Sequence, residues 1–469
     1  MGKISRANLK KTIFYLKRNG VKGTFYAVRE RLDGRYRTAY RWTPPTAEEL
    51  REQRRKAARE GYDASFSIVV PAYRTPERYL RELIASVRAQ SYEKWELILA
   101  DATEDDSVRR IVEAAAAEYP QEERIRYHRL SRNGGIAENT NQAIALAEKE
   151  YVGLLDHDDI LTADALYEMA AAIWQSKKSG IEPELLYSDE DKCDGDGNQY
   201  YEPNYKEKFN LDLLLTNNYI CHFLVMRREL IQKLKLRGEY NGAQDFDLVL
   251  RAAAGLSGRE ECIRHVPKVL YHWRCHASST ADNPQSKLYA YEAGRRAVQD
   301  FLRQKGWRAK VRDTAHLGFY EIEYEGTPLK IRKDLGAVGG RVIEKGRVVG
   351  GRMSGGGKLF YEGLPKEYSG YMHRARSAQE AEALDIRNIE VAEELRSCVE
   401  EITGVPYVTR RDSEIFDASV LPRGTDYITL SLKVSAALRA KGFRLLYDPR
   451  REMIIKNQIP RSKLTRYRA

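Results

Sequence analysis

A chain of 469 residues that is 42% hydrophobic can bury a large core and is too long for one ordinary domain, so two or three are expected and a disordered tail protein is excluded. Its 79 basic against 68 acidic residues leave a modest net charge of +11, concentrated near the start, where twelve Lys and Arg between Lys3 and Arg41 oppose Glu30 and Asp33. With acids abundant elsewhere and no recognisable binding module, nucleic acid is not an expected partner.

In the basic segment Leu9, Ile13 and Leu16, then Phe25, Val28 and Leu32, recur at helical spacing, which predicts short amphipathic helices with basic opposite faces. Such a face suits peripheral contact with an anionic membrane, and equally a solvated arm packed on the main body. No run reaches the roughly 18 to 20 apolar residues needed to span a bilayer, and the broken apolar run at the start is no signal peptide. The five cysteines (Cys193, Cys221, Cys262, Cys275, Cys398) lack C-x-x-C spacing and predict reduced thiols in a cytoplasmic protein.

After the polar stretch at 44–65, β-branched runs alternate with helical periods, the pattern of a parallel sheet covered by helices. FSIVVPAY (66–73) reads as a buried strand, PERYLRELIASVRAQ as a helix with Leu80, Leu83, Ile84 and Val87 on one face, and WELILAD (95–101) as the next strand. SVRRIVEAAAAEY is helical, RIRYHRL a strand, NTNQAIALAEKE a helix capped by Asn139, and YVGLLDH the fourth strand. Farther on come ELLYSDEDK, a hairpin turn at DKCDGDGN, a helix at NLDLLLTN, a strand YICHFLVMR and a helix beginning at Gln244. VPKVLYHWRCH is a further strand and QSKLYAYEAGRRAVQDFLRQKG a long helix. The glycine-rich stretch 335–358 fits neither G-x-G-x-x-G nor a P-loop and reads as hairpins and turns.

Ligands of an open parallel sheet bind beyond the carboxyl ends of its strands. Three strands end there in Pro71 to Tyr73, Asp101, and Asp156 to Asp159, so these residues are expected to converge on one crevice. Carboxylates spaced as Asp156-x-Asp158 can reach one hard cation and leave positions for water or phosphates. Asp101 can accept a hydrogen bond from a base or ribose. His157 points away from its acidic neighbours and is expected to be structural, and Asp159 to support the turn into the helix at Thr162. Asp245, opening QDFDLVLR at a helix N-terminus, is a candidate base for an acceptor hydroxyl and equally an ordinary first-turn acid.

Together FSIVVPAY, LRELIASVRAQSYEKWELILAD, NGGIAENTNQAI, LLDHDDIL, NGAQDFDLVLR and VLYHWRCHASST resemble, in order and spacing over residues 64–312, the family 2 glycosyltransferases. The resemblance implies an α/β fold of GT-A type, a Rossmann-like, mostly parallel sheet flanked by helices. It implies that Pro71, Tyr73 and Asp101 hold the nucleoside, with Asn139 bordering it. Asp156 would hold ribose or metal, Asp158 and His276 the metal, and His272 and Arg274 the diphosphate, while Asp245 takes the acceptor proton. Ala102 stands in DATEDDS where the family often has glycine.

The C-terminal part resembles the latter portion of a second such domain: TDYITLSLKVSAALRAKG followed by FRLLYDP echoes QDFDLVLRAAAG followed by a strand, with Asp426 at the place of Asp245. The expected organisation is a basic helical arm (1–63), a GT-A domain (64–312) and a smaller α+β module (313–469) that is a partial, degenerate copy. The implied activity is inverting, divalent-metal-dependent (Mg2+ or Mn2+) transfer of a hexosyl or rhamnosyl group from a UDP- or dTDP-sugar to a hydroxyl of a growing, lipid-linked cell-surface polysaccharide, at the inner face of the membrane. The alternative is a catalytically silent nucleotide-sugar-binding scaffold.

Overall fold

The computed structural model of the chain describes residues 6–33, 40–118, 123–275, 288–407, 416–422 and 424–455. Helix α1 (Arg6–Asp33) is broken at Gly20, whose φ of 68° separates the two amphipathic runs. One side of it docks on the C-terminal part: Glu30 accepts from the backbone N–H groups of Ser369 (2.9 Å) and Gly370 (2.7 Å), and Arg18 donates to the Thr314 carbonyl. The polar stretch that follows, inside the helical arm expected over 1–63, contains helix α2 (Ala47–Glu60). Thr46 and Glu49 cap it reciprocally, and Gly61, at φ 71°, ends it.

The expected alternation follows as β1 (Phe66–Ala72), α3 (Glu77–Arg88), β2 (Trp95–Asp101), α4 (Ser107–Ala117), β3 (Ile125–Arg129), α5 (Ile136–Ala145) and β4 (Tyr151–Leu154). Leu80, Leu83, Ile84 and Val87 are all buried on α3, and every residue of β1 and β2 is buried, as strands covered on both faces require. The four strands are parallel in the order β3-β2-β1-β4, with Ala72 beside Asp101, so their carboxyl ends share one edge. Helix α5 begins earlier than expected, after Gly135 at φ 87°. Asn139 therefore does not cap it; the side chain reaches back from the first turn, accepting from Gly134 N (3.0 Å) and donating to Asn133 Oδ1 (2.9 Å).

The sheet continues through β5 (Ile160–Leu161), α6 (Ala165–Lys178), β6 (Leu185–Asp194), β7 (Tyr200–Asn204), α7 (Leu211–Leu214), β8 (Leu224–Arg227), α8 (Arg228–Leu234), α9 (Gln244–Gly255) and β9 (Ile263–Cys275). The order β4-β8-β6-β9-β5 brings in antiparallel neighbours, so the whole is a mixed sheet whose β3-β2-β1-β4 half alone is parallel throughout. Hydrophobic clusters cover both faces. Gly153 is one place where a side chain is excluded: a Cβ there would lie 2.7 Å from the Phe223 ring packed on β4.

Helix α10 (Leu288–Gln304) and the hairpin β10 (Ala309–Asp313) and β11 (Tyr320–Tyr324) lead through α11 (Pro328–Ile331) into a second sheet with its own core. Its strands are β12 (Leu335–Glu344), β13 (Arg347–Gly350), β14 (Arg352–Met353), β15 (Gln379–Glu380), β16 (Ala383–Leu384), β17 (Ile389–Val391) and β18 (Arg444–Ile455), with β14 and β16 paired apart; α12 (Arg396–Thr403) and α13 (Tyr427–Ala440) precede β18. Lys345 (φ 48°) and Gly346 (φ 74°) make the β12–β13 turn, as the glycine-rich pattern predicted.

The connectivity of this sheet repeats that of residues 185–275. Strand β6 pairs antiparallel with β7 and β8 and parallel with β9, which follows α9. Strand β12 pairs antiparallel with β13 and β17 and parallel with β18, which follows α13. Among the described residues, the parallel β3-β2-β1-β4 unit has no counterpart there.

Ion pairs join the two sheets' layers. Arg332, wholly buried, reaches Asp212 and Asp334 (2.7 Å) and lies over the Trp307 ring. Arg352 meets Glu207 through both terminal nitrogens (3.0 and 2.6 Å), and Arg444 meets Glu260. Asp212→Ala leaves a buried guanidinium with one carboxylate fewer and should cost about 3 kcal/mol in urea unfolding.

A stack of His316 on His373 (ring centroids 3.5 Å apart), edged by Phe319, seals the same region beside Tyr15 of α1. Burial, with Arg376 and Arg18 nearby, pushes His316 down to about 4, and burial beside His316 pushes His373 down to about 3. Both are neutral when folded, whereas the unfolded residues take up protons below about 6.5. Their contribution is complete above that pH and is lost as pH falls toward the folded values. Thermal midpoints should therefore drop between pH 6.5 and 5, and drop less in His373→Asn, which removes one titrating ring and tolerates the left-handed backbone at φ 59°.

Candidate functional site

The loops after β1, β2 and β4 are stitched into one wall. Ala102 N donates to Ala72 O (2.9 Å), Arg74 N to Thr103 Oγ1 (2.8 Å), and Thr75 Oγ1 is hydrogen-bonded to His157 Nδ1 (2.9 Å). The structural role expected of His157 is this link. Pro71 is buried at the end of β1, and half-buried Tyr73 donates to Glu104 Oε1 (3.0 Å).

Asp156, Asp158 and Asp159 occupy three different environments. Asp156 is exposed at the crevice, Asp158 half-buried and Asp159 buried. Although Asp156 reaches solvent, protein crowds around it; this loss of hydration, then the charges of Asp158 and Asp245, push its carboxyl up against the opposing pull of His222 and His157. Asp159 is pushed well up by burial and by its two acidic neighbours. Its role is wider than support of the local turn: it accepts from Tyr271 Oη (2.5 Å) and from the backbone N–H of Arg274 (2.7 Å), tying β9 to the end of β4.

Carboxylate oxygens of Asp156 and Asp159 and an imidazole nitrogen of His222 lie within 4.8 Å of one another. Two carboxylates and an imidazole suit a divalent cation such as Mg2+ or Mn2+. His222 was not singled out in the sequence, where it sits inside an apolar run read as one long strand. That strand is confined to Leu224–Arg227, because Lys206 draws the preceding carbonyls out of the ladder: its buried Nζ donates to Ile220 O (2.7 Å) and His222 O and pairs with Glu190 (3.3 Å). The His222 ring stacks on Tyr271 at 4.5 Å and 7°. Tyr271 thus orients both an acid and an imidazole.

Asp245 faces this group from α9. Its Oδ2 accepts from Asn218 Nδ2 (2.8 Å) and from the Cys221 thiol (3.5 Å), which burial and the charge of Asp245 push well up and so keep protonated. Asp247, two residues on, is buried between Arg237 (3.0 Å) and Arg251 (2.9 Å) and locks the start of the helix. Asp426, by contrast, caps α13 through the backbone N–H groups of Ile428 and Thr429.

Four expectations are revised by burial. Asp101 lies at the strand end but is 0% exposed; its oxygens accept from Thr103 N (2.8 Å) and Tyr127 Oη (2.7 Å), so it shapes the 102–106 loop and offers a base no exposed oxygen. Asn139 is likewise buried and turned into its own loop. His272 is 1% exposed, bonded to Asp191 (2.5 Å) and packed between Trp42 and Tyr200. Arg274, also buried, is occupied with Glu82, Gly195 O and Asp158 O. His276 lies outside the described residues.

Residues 67–235 match the family described as Glycosyl transferase family 2. Over that segment the chain is similar to the family 2 glycosyltransferases. An uncharacterized protein y4gI of Sinorhizobium fredii is 39% identical over 238 residues, 50% of this chain and 25% of that protein. O-antigen biosynthesis protein RfbC of Myxococcus xanthus is 36% identical over 268 residues, 56% of this chain and 20% of its own length. The chain therefore spans a quarter or less of these relatives. A solved structure of S. aureus TarS 1-349 in complex with UDP-GlcNAc aligns over 51% of this chain and 66% of its own, with 20% identity and a TM-score of 0.39.

Tyr271→Phe removes the hydroxyl donor to Asp159 and keeps the ring under His222. A loss of about 2 kcal/mol in urea unfolding, with the circular dichroism spectrum unchanged, is expected.

Proposed function

We propose that the domain at 64–312 is an inverting glycosyltransferase that moves a sugar from a nucleoside diphosphate, of UDP or dTDP type, to a hydroxyl of a growing, lipid-linked cell-surface polysaccharide. The observation that carries this reading is the meeting, across one crevice, of the Asp245 carboxylate from α9 with the Asp156, Asp159 and His222 group from the other wall. The similarity to RfbC, an O-antigen biosynthesis protein, supports the polysaccharide.

In this mechanism the nucleoside lies against Pro71, Tyr73 and the loop that Asp101 holds. Asp156 and Asp158, with Asp159 and His222 beside them, would hold a divalent cation, Mg2+ or Mn2+, which would supply positive charge to offset that of the diphosphate. Asn218 and the protonated Cys221 fix the orientation of Asp245. Asp245 takes the proton of the acceptor hydroxyl as that oxygen attacks the anomeric carbon from the face opposite the diphosphate. The C-terminal module is read as a half copy of the domain, without a nucleotide crevice of its own; the repeated pairing of β6 and β12 supports this, as does the capping role of Asp426.

Asp245→Asn should lower turnover about a thousandfold while donor binding, measured by calorimetry with Mn2+, is retained. Asp156→Ala and Asp158→Ala should lose metal-dependent donor binding itself. Undiminished turnover in Asp245→Asn would remove it from the mechanism.

A further inference from the structure

Helix α1 has a second face that docking leaves uncovered. Val21 (78% exposed), Phe25 (58%), Val28 (47%) and Leu32 (74%) follow at spacings of four, three and four, which puts all four on one side of the helix beyond the Gly20 break. Over that length the stripe runs about 16 Å. Ile13 and Leu16, in the first run, are 44% and 40% exposed. The opposite side is committed: Tyr26 packs against the cluster of Ile343, Val348, Leu364, Tyr368 and Ala375, and Glu30 is turned into the backbone at Ser369 and Gly370.

The charges around the stripe indicate what covers it. Lys22 and Arg29 stand beside it on the helix wheel, and Lys17 and Arg31 are exposed on the same helix. The docked Glu30 is withdrawn from that surface. An apolar stripe flanked by cations is the arrangement that lies flat in the headgroup region of an anionic bilayer, side chains in the acyl boundary and ammonium and guanidinium groups among the phosphates. Among the described residues no helix is long and apolar enough to cross a membrane, so contact of this kind is in the plane.

We propose that the Val21-Phe25-Val28-Leu32 face of α1 is a docking surface for an anionic lipid bilayer. Because the other face is fixed by Glu30, Tyr26 and Arg18, the helix would seat the body on the membrane in one orientation instead of tethering it loosely. This is independent of the chemistry assigned to Asp245.

The test is flotation of the full chain with vesicles of phosphatidylcholine and phosphatidylglycerol at roughly three to one, and with phosphatidylcholine alone. Binding to the anionic vesicles is expected, at least about tenfold weaker for Phe25→Glu/Leu32→Glu and for Lys22→Glu/Arg29→Glu, and weakened by salt. Unchanged thermal midpoints in these exposed-site variants establish that the body is intact. No binding, equal binding to both vesicle types, or equal binding by the variants overturns the proposal. So does a dimer in sedimentation that the Phe25→Glu/Leu32→Glu variant dissolves, which would make the stripe a contact between copies of this chain.

Discussion

The crevice depends on one side chain, that of Tyr271. Its hydroxyl is bonded to a buried acid at the end of β4, and its ring carries the imidazole of a loop between α7 and β8. Beside the apolar packing of Phe223 on β4 and the Arg274 bonds to Glu82 and Asp158 O, it is the side chain that links the acid at the end of β4 to the imidazole of that loop. A carboxylate as deeply buried as Asp159 needs donors, and among the described residues it has the Tyr271 hydroxyl and the Arg274 backbone N–H. The desolvation that makes the acid costly therefore also specifies where β9 must lie.

Lys206 does for the loop what Tyr271 does for the strands. A buried ammonium must find oxygen, and it takes carbonyls that a longer β8 would have used in the ladder. The segment 218–222 is thereby held open, and Asn218, Cys221 and His222 all project toward acids. The arrangement is preorganised by charge satisfaction in the body of the domain, several residues away from the crevice itself.

How much of this was legible follows from the range of each interaction. Strands β1 and β2 declare themselves as β-branched runs, and the start of α9 at Gln244 is written in its local pattern. The acids of the crevice were visible because they sit where strand ends must converge. Helix α2 falls within the helical arm expected over 1–63, but its bounds were not read from the Thr46-x-x-Glu49 signature, because the stretch lacks an apolar periodicity. The capping role given to Asn139 failed because Gly135 starts the helix earlier. His222, Lys206 and Tyr271 were hidden for a different reason: their partners are remote in sequence, 112 residues apart for Asp159 and Tyr271, and no local pattern encodes such a pairing. The same holds for Asp101 and Arg274, whose types suit a ligand but whose burial commits them to the protein.

The seam between the two sheets bears on how the chain can be divided. Arg332, Arg352 and Arg444 come from one side of it, and Asp212, Glu207 and Glu260 from the other. Repetition of connectivity marks residues 335–455 as a unit of design, yet the charges place each part's counterions in its neighbour. Cutting near residue 312 would leave Asp212, Glu207 and Glu260 without these arginines on one fragment, and on the other Arg352 without Glu207 while Arg332 and Arg444 keep only Asp334 and Glu380. The boundary that the repeat suggests is thus not a boundary of solubility, and a crevice-bearing fragment is best made with the arginines left attached.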